Sequence, residues 1–225
     1  MSDFSEAIDH YENGEYEAAV EIFTELAKDG DADAQYALGV CYENGHGVTQ
    51  NYLTAAKWYS LAADQGVAEA QYNLGNFYDQ GKGVEKNLEA AVDLYFEAAE
   101  QGLAEAQYNL GVSYEKGHGI EQDDDEAVSW YRKAADQDYP QAQFAMGVCY
   151  EDGKGVPQSY SKAVSWYRKS ADKDYAPAYY NLGICYINGR GVLYDRDEAI
   201  KLFKKAAKLG DEEAKEALDK IGIKY

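Results

Sequence analysis

The eight residues AEAQYNLG stand at positions 68–75 and again at 104–111, 36 residues later. A catalytic motif usually occurs once in a chain, so the copy points to a structural unit that repeats. Further copies lie in the same phase. The pair Leu38-Gly39 returns as Leu74-Gly75, Leu110-Gly111, Met146-Gly147 and Leu182-Gly183. Three residues on come Tyr42, Tyr78, Tyr114, Tyr150 and Tyr186, then a Gly-x-Gly at Gly45/Gly47, Gly81/Gly83, Gly117/Gly119, Gly153/Gly155 and Gly189/Gly191. Val48, Val84, Ile120, Val156 and Val192 close these loops. The chain is therefore a repeat array, to which domain counting by length does not apply.

Each repeat reads as two helices. Ala70, Leu74 and Tyr78 are spaced four apart, which is helical and not alternating. A glycine inside this helix costs roughly 1 kcal/mol against alanine. Its recurrence predicts that another backbone passes too close for a side chain. The second helix carries Ala55, Trp58/Tyr59 and Ala62 in one copy and Ala127, Trp130/Tyr131 and Ala134 in another. Asn51, Asn87, Asp123, Ser159 and Asp195 precede it, all residues whose side chains accept from the free N–H groups of a helix start. Gly30, Gly66, Gly102 and Gly210 stand where it must stop, as left-handed caps would, with Asp138 and Asp174 in two repeats.

The pattern A-x-A-Q-Y-x-L-G-x-x-Y-x-x-G-x-G-V, followed by A-x-x-W-Y-x-x-A-A, resembles the SEL-one-like repeat (SLR) family, a relative of the tetratricopeptide repeats (TPR). The resemblance covers nearly the whole chain. It implies an all-α fold, a right-handed α-solenoid of helix pairs whose concave surface is lined mainly by the first helix of each repeat. It also implies a scaffold or adaptor for other proteins. The expected organisation is one continuous solenoid domain: an N-terminal TPR-like helix pair (1–30), five 36-residue repeats (31–66, 67–102, 103–138, 139–174 and 175–210) and a charged C-terminal capping helix (211–225). In the leading pair Tyr11 and Gly14 echo Tyr42 and Gly45, but the Gly-x-Gly-Val loop is missing. At the other end Ala214 and Leu218 keep the register while Asp219 replaces the motif glycine. A polar outer face suits the exposed end of a stack.

No run of about 18 apolar residues exists, so no membrane insertion is expected. The start, MSDFSEAIDHYENG, lacks a basic segment followed by an apolar stretch, so no secretory signal and a cytoplasmic location are expected. Cys41, Cys149 and Cys185 all fall two residues after a motif glycine. Equivalent positions in adjacent packed helices are separated by roughly 8–10 Å, and a disulfide needs Cα atoms within about 7 Å. Free, buried thiols in a reducing compartment are expected. The intra-repeat cysteine pairs of some secreted SLR proteins are missing.

Charge gives the array its individuality. The formal net charge is −20. Residues 1–112 hold 21 acids and 4 bases, whereas 113–225 hold 20 acids and 17 bases. Such a field repels nucleic-acid phosphates and speeds encounter with basic proteins. Solubilising a repeat surface is the alternative role for these acids.

If TPR-like geometry holds, the groove includes the sites three and six before the motif glycine and those one, four and five after it. These sites give an aromatic ladder, Tyr36, Tyr72, Tyr108, Phe144 and Tyr180. One acidic ladder is Asp33, Glu69 and Glu105; another, across the groove, is Glu43, Asp79, Glu115 and Glu151. Both fade towards the C-terminus, where Pro177 and Ile187 take the corresponding places. Aromatics beside carboxylates suit a lysine- or arginine-bearing segment. The rings also have a second reading, packing between successive helices, whereas a packing contact does not by itself require an acid.

Other chemistry finds no support. His46 and His118 occupy the x of Gly-x-Gly, where other repeats have Lys82, Lys154 and Arg190, and His10 stands alone. The run Asp123-Asp124-Asp125-Glu126 lacks the spacing of a calcium loop and fits a helix start favoured by the dipole. The Gly-x-Gly loops follow helices and lack the strand-to-helix context of phosphate cradles, and no nucleophile–base pattern is visible. The expectation is a non-catalytic, monomeric protein-interaction scaffold, without cofactor or metal, holding a basic or aromatic-containing peptide or protein surface. An acidic inhibitor or immunity-type protein that masks a basic enzyme or toxin is the alternative. The regularity also leaves a consensus-engineered origin open.

Overall fold

The computed structural model describes residues 3–224; Met1, Ser2 and Tyr225, which fall in the expected first and last segments, lie outside the described residues. Thirteen α-helices and no strand are found among the described residues. Helices α1 (Phe4–Glu12) and α2 (Tyr16–Lys28) form the leading pair. The repeats follow as α3 (Ala32–Asn44) with α4 (Tyr52–Asp64), α5 (Ala68–Gln80) with α6 (Leu88–Glu100), and α7 (Ala104–Lys116) with α8 (Asp124–Asp136). Then come α9 (Pro140–Asp152) with α10 (Tyr160–Ala171), and α11 (Ala176–Asn188) with α12 (Arg196–Lys208). The last helix is α13 (Glu212–Lys220). This is the α-solenoid plan of consecutively packed helix pairs. Helices of this length are marginal in isolation, so their packing supplies most of their stability.

Local chemistry sets the ends of these helices. The side chains of Asn51, Asn87 and Ser159 accept from the backbone N–H of Thr54, Ala90 and Lys162. Asp123 and Asp195 each accept from two such groups. At the opposite end Asp138 and Asp174 adopt left-handed φ values of 63° and 57°, as Gly66 does elsewhere with 89°. Each aspartate also meets a lysine of the next repeat, Lys173 at 3.1 Å and Lys205 at 3.0 Å.

The motif glycine makes room for a ring, not for a backbone as its recurrence had suggested. A Cβ on Gly39 would fall 2.4 Å from the Tyr59 ring, one on Gly147 2.4 Å from Tyr167 and one on Gly183 2.6 Å from Phe203. Backbone does approach closely, but at the second glycine of each loop. A Cβ on Gly83 would lie 2.4 Å from the main chain of Tyr52, the first residue of the preceding repeat's second helix. The buried glutamine of A-x-A-Q adds a polar tie. Gln35, Gln71 and Gln143 donate to the carbonyls of Ala27, Ala63 and Ala135, near the ends of α2, α4 and α8. Carbonyls at helix C-termini need such external partners.

The helices group into two compact units. One holds residues up to Ala106 with Gly117–Glu121, and the other holds Gln107–Lys116 with the residues from Gln122 onward. In the first, the fully buried Ala19, Ala34, Leu38 and Cys41 join Phe23 in a core beneath the leading pair. In the second, Ala199, Phe203, Ala206, Ala214 and Leu218 seat α13 against α12.

Candidate functional site

Every member of the aromatic ladder rests against the ring of its own second helix. Centroids are 5.9 Å apart for Tyr36–Tyr59, 6.0 Å for Tyr72–Tyr95, 5.7 Å for Tyr108–Tyr131, 5.6 Å for Phe144–Tyr167 and 5.5 Å for Tyr180–Phe203. Such pairs contribute roughly 0.5–1.5 kcal/mol beyond area burial. Packing is therefore one role of these rings. All five stay half-buried, and Tyr108 and Phe144 also meet Tyr139 and Tyr175, at 5.6 and 5.5 Å.

The second acidic ladder has a structural role, although a packing contact does not by itself require an acid. The Tyr59 hydroxyl donates to Glu43, Tyr131 to Glu115 and Tyr167 to Glu151, each at 2.7 Å. The rings beneath are fully buried, and a buried hydroxyl requires an acceptor. Burial, then the bond to the glutamate, pushes the phenol pKa of all three tyrosines far up. A base from the next loop completes two of the groups: Lys82 reaches Glu43 at 2.9 Å and Arg190 reaches Glu151 at 3.6 Å. Asp79 breaks the series, because Tyr95 donates to Asn76 instead. In the fifth repeat Phe203 has no hydroxyl and Ile187 stands where the acceptor would be. The signal was thus present as a covarying pair 16 residues apart, but it crosses from one helix to another.

In the first acidic ladder Asp33 and Glu69 are exposed and Glu105 is half-buried. Glu69 lies close enough to Tyr36 that, after burial, its charge is the next cause raising that phenol's pKa. The same relation appears in the second unit, where burial and then Glu213 raise the pKa of Tyr180. Glu213 of α13 was overlooked in the sequence, although it stands six residues before Asp219, the site of the lost motif glycine.

The loop bases have their own partners. His46 stacks on Tyr16 with centroids 4.4 Å apart and shares a 2.7 Å hydrogen bond with the Tyr11 hydroxyl. Lys82 lies 4.2 Å above the Tyr52 ring and Arg190 5.5 Å from the Tyr160 ring. His118 is exposed, and His10 contacts Glu15. Cys41, Cys149 and Cys185 are free and buried, and burial raises their thiols to about 11, 12 and 11. Among the described residues no group of three or more His, Cys, Asp or Glu is placed to hold a metal ion, and no helix is long and apolar enough to cross a membrane.

A family model for the Sel1 repeat matches residues 32–67, 68–103, 104–139, 140–175 and 176–211. The chain is similar to the crystal structure of a Sel1 repeat protein from Oxalobacter formigenes, with 34% identity and a TM-score of 0.92, covering 98% of this chain and 90% of that one. It is also similar to c5321, a protective antigen present in uropathogenic Escherichia coli strains and displaying an SLR fold. There the identity is 32% and the TM-score 0.83, over 95% of this chain but only 50% of that chain. Immunity protein Pa5087 from Pseudomonas aeruginosa shares the fold alone, at 22% identity and a TM-score of 0.52 over 81% of this chain and 67% of its own. No curated protein matches the sequence. With five matched repeats across most of its length, the chain belongs to the Sel1 repeat family, whose helical scaffolds generally mediate protein–protein interaction and are typically non-catalytic.

Proposed function

We propose that this protein is a non-catalytic scaffold that holds a basic or aromatic-containing peptide or protein surface along the acidic, tyrosine-lined faces of its first helices. The observation that carries this reading is that the exposed Asp33 and Glu69 stand one helical turn before the half-buried ladder rings Tyr36 and Tyr72 on the same helix faces. An aromatic ring beside a carboxylate offers an incoming lysine or arginine both a cation–π contact and an ion pair. The excess of 21 acids over 4 bases in residues 1–112 adds long-range attraction for such a partner.

Glu43, Glu115 and Glu151 are engaged by tyrosines, so reversing their charge would disturb packing and binding together. Asp33 and Glu69 are the informative positions. The test is fluorescence anisotropy with labelled lysine- and aromatic-rich peptides against acidic counterparts, at low and high salt. The variant Asp33→Lys/Glu69→Lys is expected to keep its melting temperature, since exposed substitutions usually move stability by about 0.5 kcal/mol or less, and to bind the basic peptides far more weakly. Binding indifferent both to salt and to this double reversal would overturn the reading. An inhibitor that masks a basic enzyme draws support from the same charge. It is recognised by a folded basic enzyme being captured and losing activity, where a scaffold leaves its partner active.

A further inference from the structure

The groove-side registers of the first helices differ in one respect that the ladders do not capture. Two residues before the motif glycine stand Ala37, Asn73, Asn109, Ala145 and Asn181; one residue after it stand Val40, Asn76, Val112, Val148 and Ile184. The cavities follow this difference. Where Asn73 and Asn76 face the groove, the cavity is about 110 Å³ and polar, with Glu43 and Lys82 in its wall. Where Ala37 and Val40 stand, a cavity of about 230 Å³ with an almost wholly apolar wall opens between α1 and α3. In the second unit Ala145 and Val148 line a cavity of about 240 Å³ at the same register, here with Glu115 and Lys116 at its edge.

The leading pair departs from the later repeats where the first cavity lies. Matching Tyr11 to Tyr42 places Ser5 at the ladder position of Tyr36 and Ile8 at the motif glycine. Elsewhere the ladder aromatic covers the second-helix ring. Here Phe4 rests against Phe23, the counterpart of Tyr59, at 5.6 Å and 46°, and Tyr11 lies 6.4 Å from it. An apolar cavity stays open beside these rings, lined by Phe4, Ile8, Phe23, Tyr36, Ala37 and Val40.

We infer that this cavity anchors the partner by seating one large apolar side chain, such as leucine, from a lysine-bearing segment; the inference rests on the acidic-groove reading above. The volume suffices, since apolar cavities of roughly 150 Å³ take up benzene. The rim chooses the flanking charge. Asp33, which is exposed, stands one helical turn before Ala37 on the same face, and the exposed Glu69 acts on Tyr36 in the cavity wall. A second copy of the chain would bring a net charge of −20 to an acidic surface, which repels it.

The test compares a fluorescein-labelled peptide of lysines around one central leucine with its alanine counterpart. The leucine peptide is expected to bind roughly tenfold tighter, the effect of burying a few apolar carbons. Ala37→Leu, which fills the cavity, is expected to erase that difference while leaving the melting temperature equal or higher. Ala37→Asn/Val40→Asn, which copies the residues that α5 carries at the same registers, is expected to erase it too and guards against a folding artefact. If both peptides bind equally and with salt dependence, the anchor is refuted and the acidic-groove reading stands. If neither binds, both fall. A concentration-dependent assembly of the free protein that Ala37→Leu disperses would show a second copy as the occupant and overturn the inference.

Discussion

At the scale of single residues, the pairing of Glu151 with Tyr167 shows how a surface acid becomes part of a core. The tyrosine is fully buried, its hydroxyl donates to the carboxylate at 2.7 Å, and Arg190 approaches the same carboxylate at 3.6 Å. A hydrogen bond to a charged group contributes roughly 1.5–3 kcal/mol. The fifth repeat shows the apolar solution, Ile187 over Phe203. Tyr167→Phe alone is therefore expected to cost about 1–2 kcal/mol, and Glu151→Ile alone a similar amount because it strands a buried hydroxyl. The double variant is expected to cost clearly less than the sum, with a coupling of about 1 kcal/mol in a denaturation cycle. Strict additivity would mean that the bond contributes nothing to the fold. These residues were readable only in part. Tyr167 and Glu151 each repeat visibly, yet their partnership needs the helix crossing that brings +4 of one helix onto the ring of the next. The packing of the aromatic ladder was legible as one of two readings, because a ring recurring once per repeat is what a helix–helix contact requires.

At the scale of elements, helix boundaries were the most legible feature, because each end carries its own chemistry. Asn51, Asn87, Asp123, Ser159 and Asp195 cap helices by local bonds that require no tertiary knowledge. The reason for the motif glycine was not legible, since a tyrosine ring and a backbone impose the same demand on sequence. The two kinds of left-handed glycine behave differently. Gly66, with φ 89°, has open space where a side chain would go, and Asp138 and Asp174 fill the equivalent place in other repeats. Gly83, with φ 71°, would drive a Cβ to 2.4 Å from the main chain of Tyr52. Gly66→Ala is accordingly expected to lose about 1 kcal/mol, the left-handed penalty alone. Gly83→Ala is expected to lose at least about 2 kcal/mol more, as overpacking adds to that penalty. Urea titration of the two variants checks this, and equal losses would show that the loop yields without cost.

At the scale of the whole molecule, stability in a stack of repeats is a sum of unit and nearest-neighbour terms. The identical octapeptides at 68–75 and 104–111 make that statement testable with little damage at the junction. Deleting residues 67–102 joins Gly66 to Leu103, so that α4 meets the first helix of the third repeat in place of α5. The incoming helix offers Ala106, Gln107 and Leu110 where Ala70, Gln71 and Leu74 stood. Gln107 is thereby placed to donate to the Ala63 carbonyl as Gln71 does. Gly119, which lies against the first residue of α6, would then lie against Tyr52, as Gly83 does. Because both interfaces reuse native chemistry, the shortened chain is expected to keep its helicity per residue and a single cooperative transition. Its melting temperature is expected to fall by only a few degrees, at roughly 2–4 °C per kcal/mol for a chain of this size. Circular dichroism with thermal unfolding measures both quantities. A broad transition or loss of helicity would show that the repeats depend on contacts beyond their immediate neighbours, and the additive description of the array would have to be abandoned.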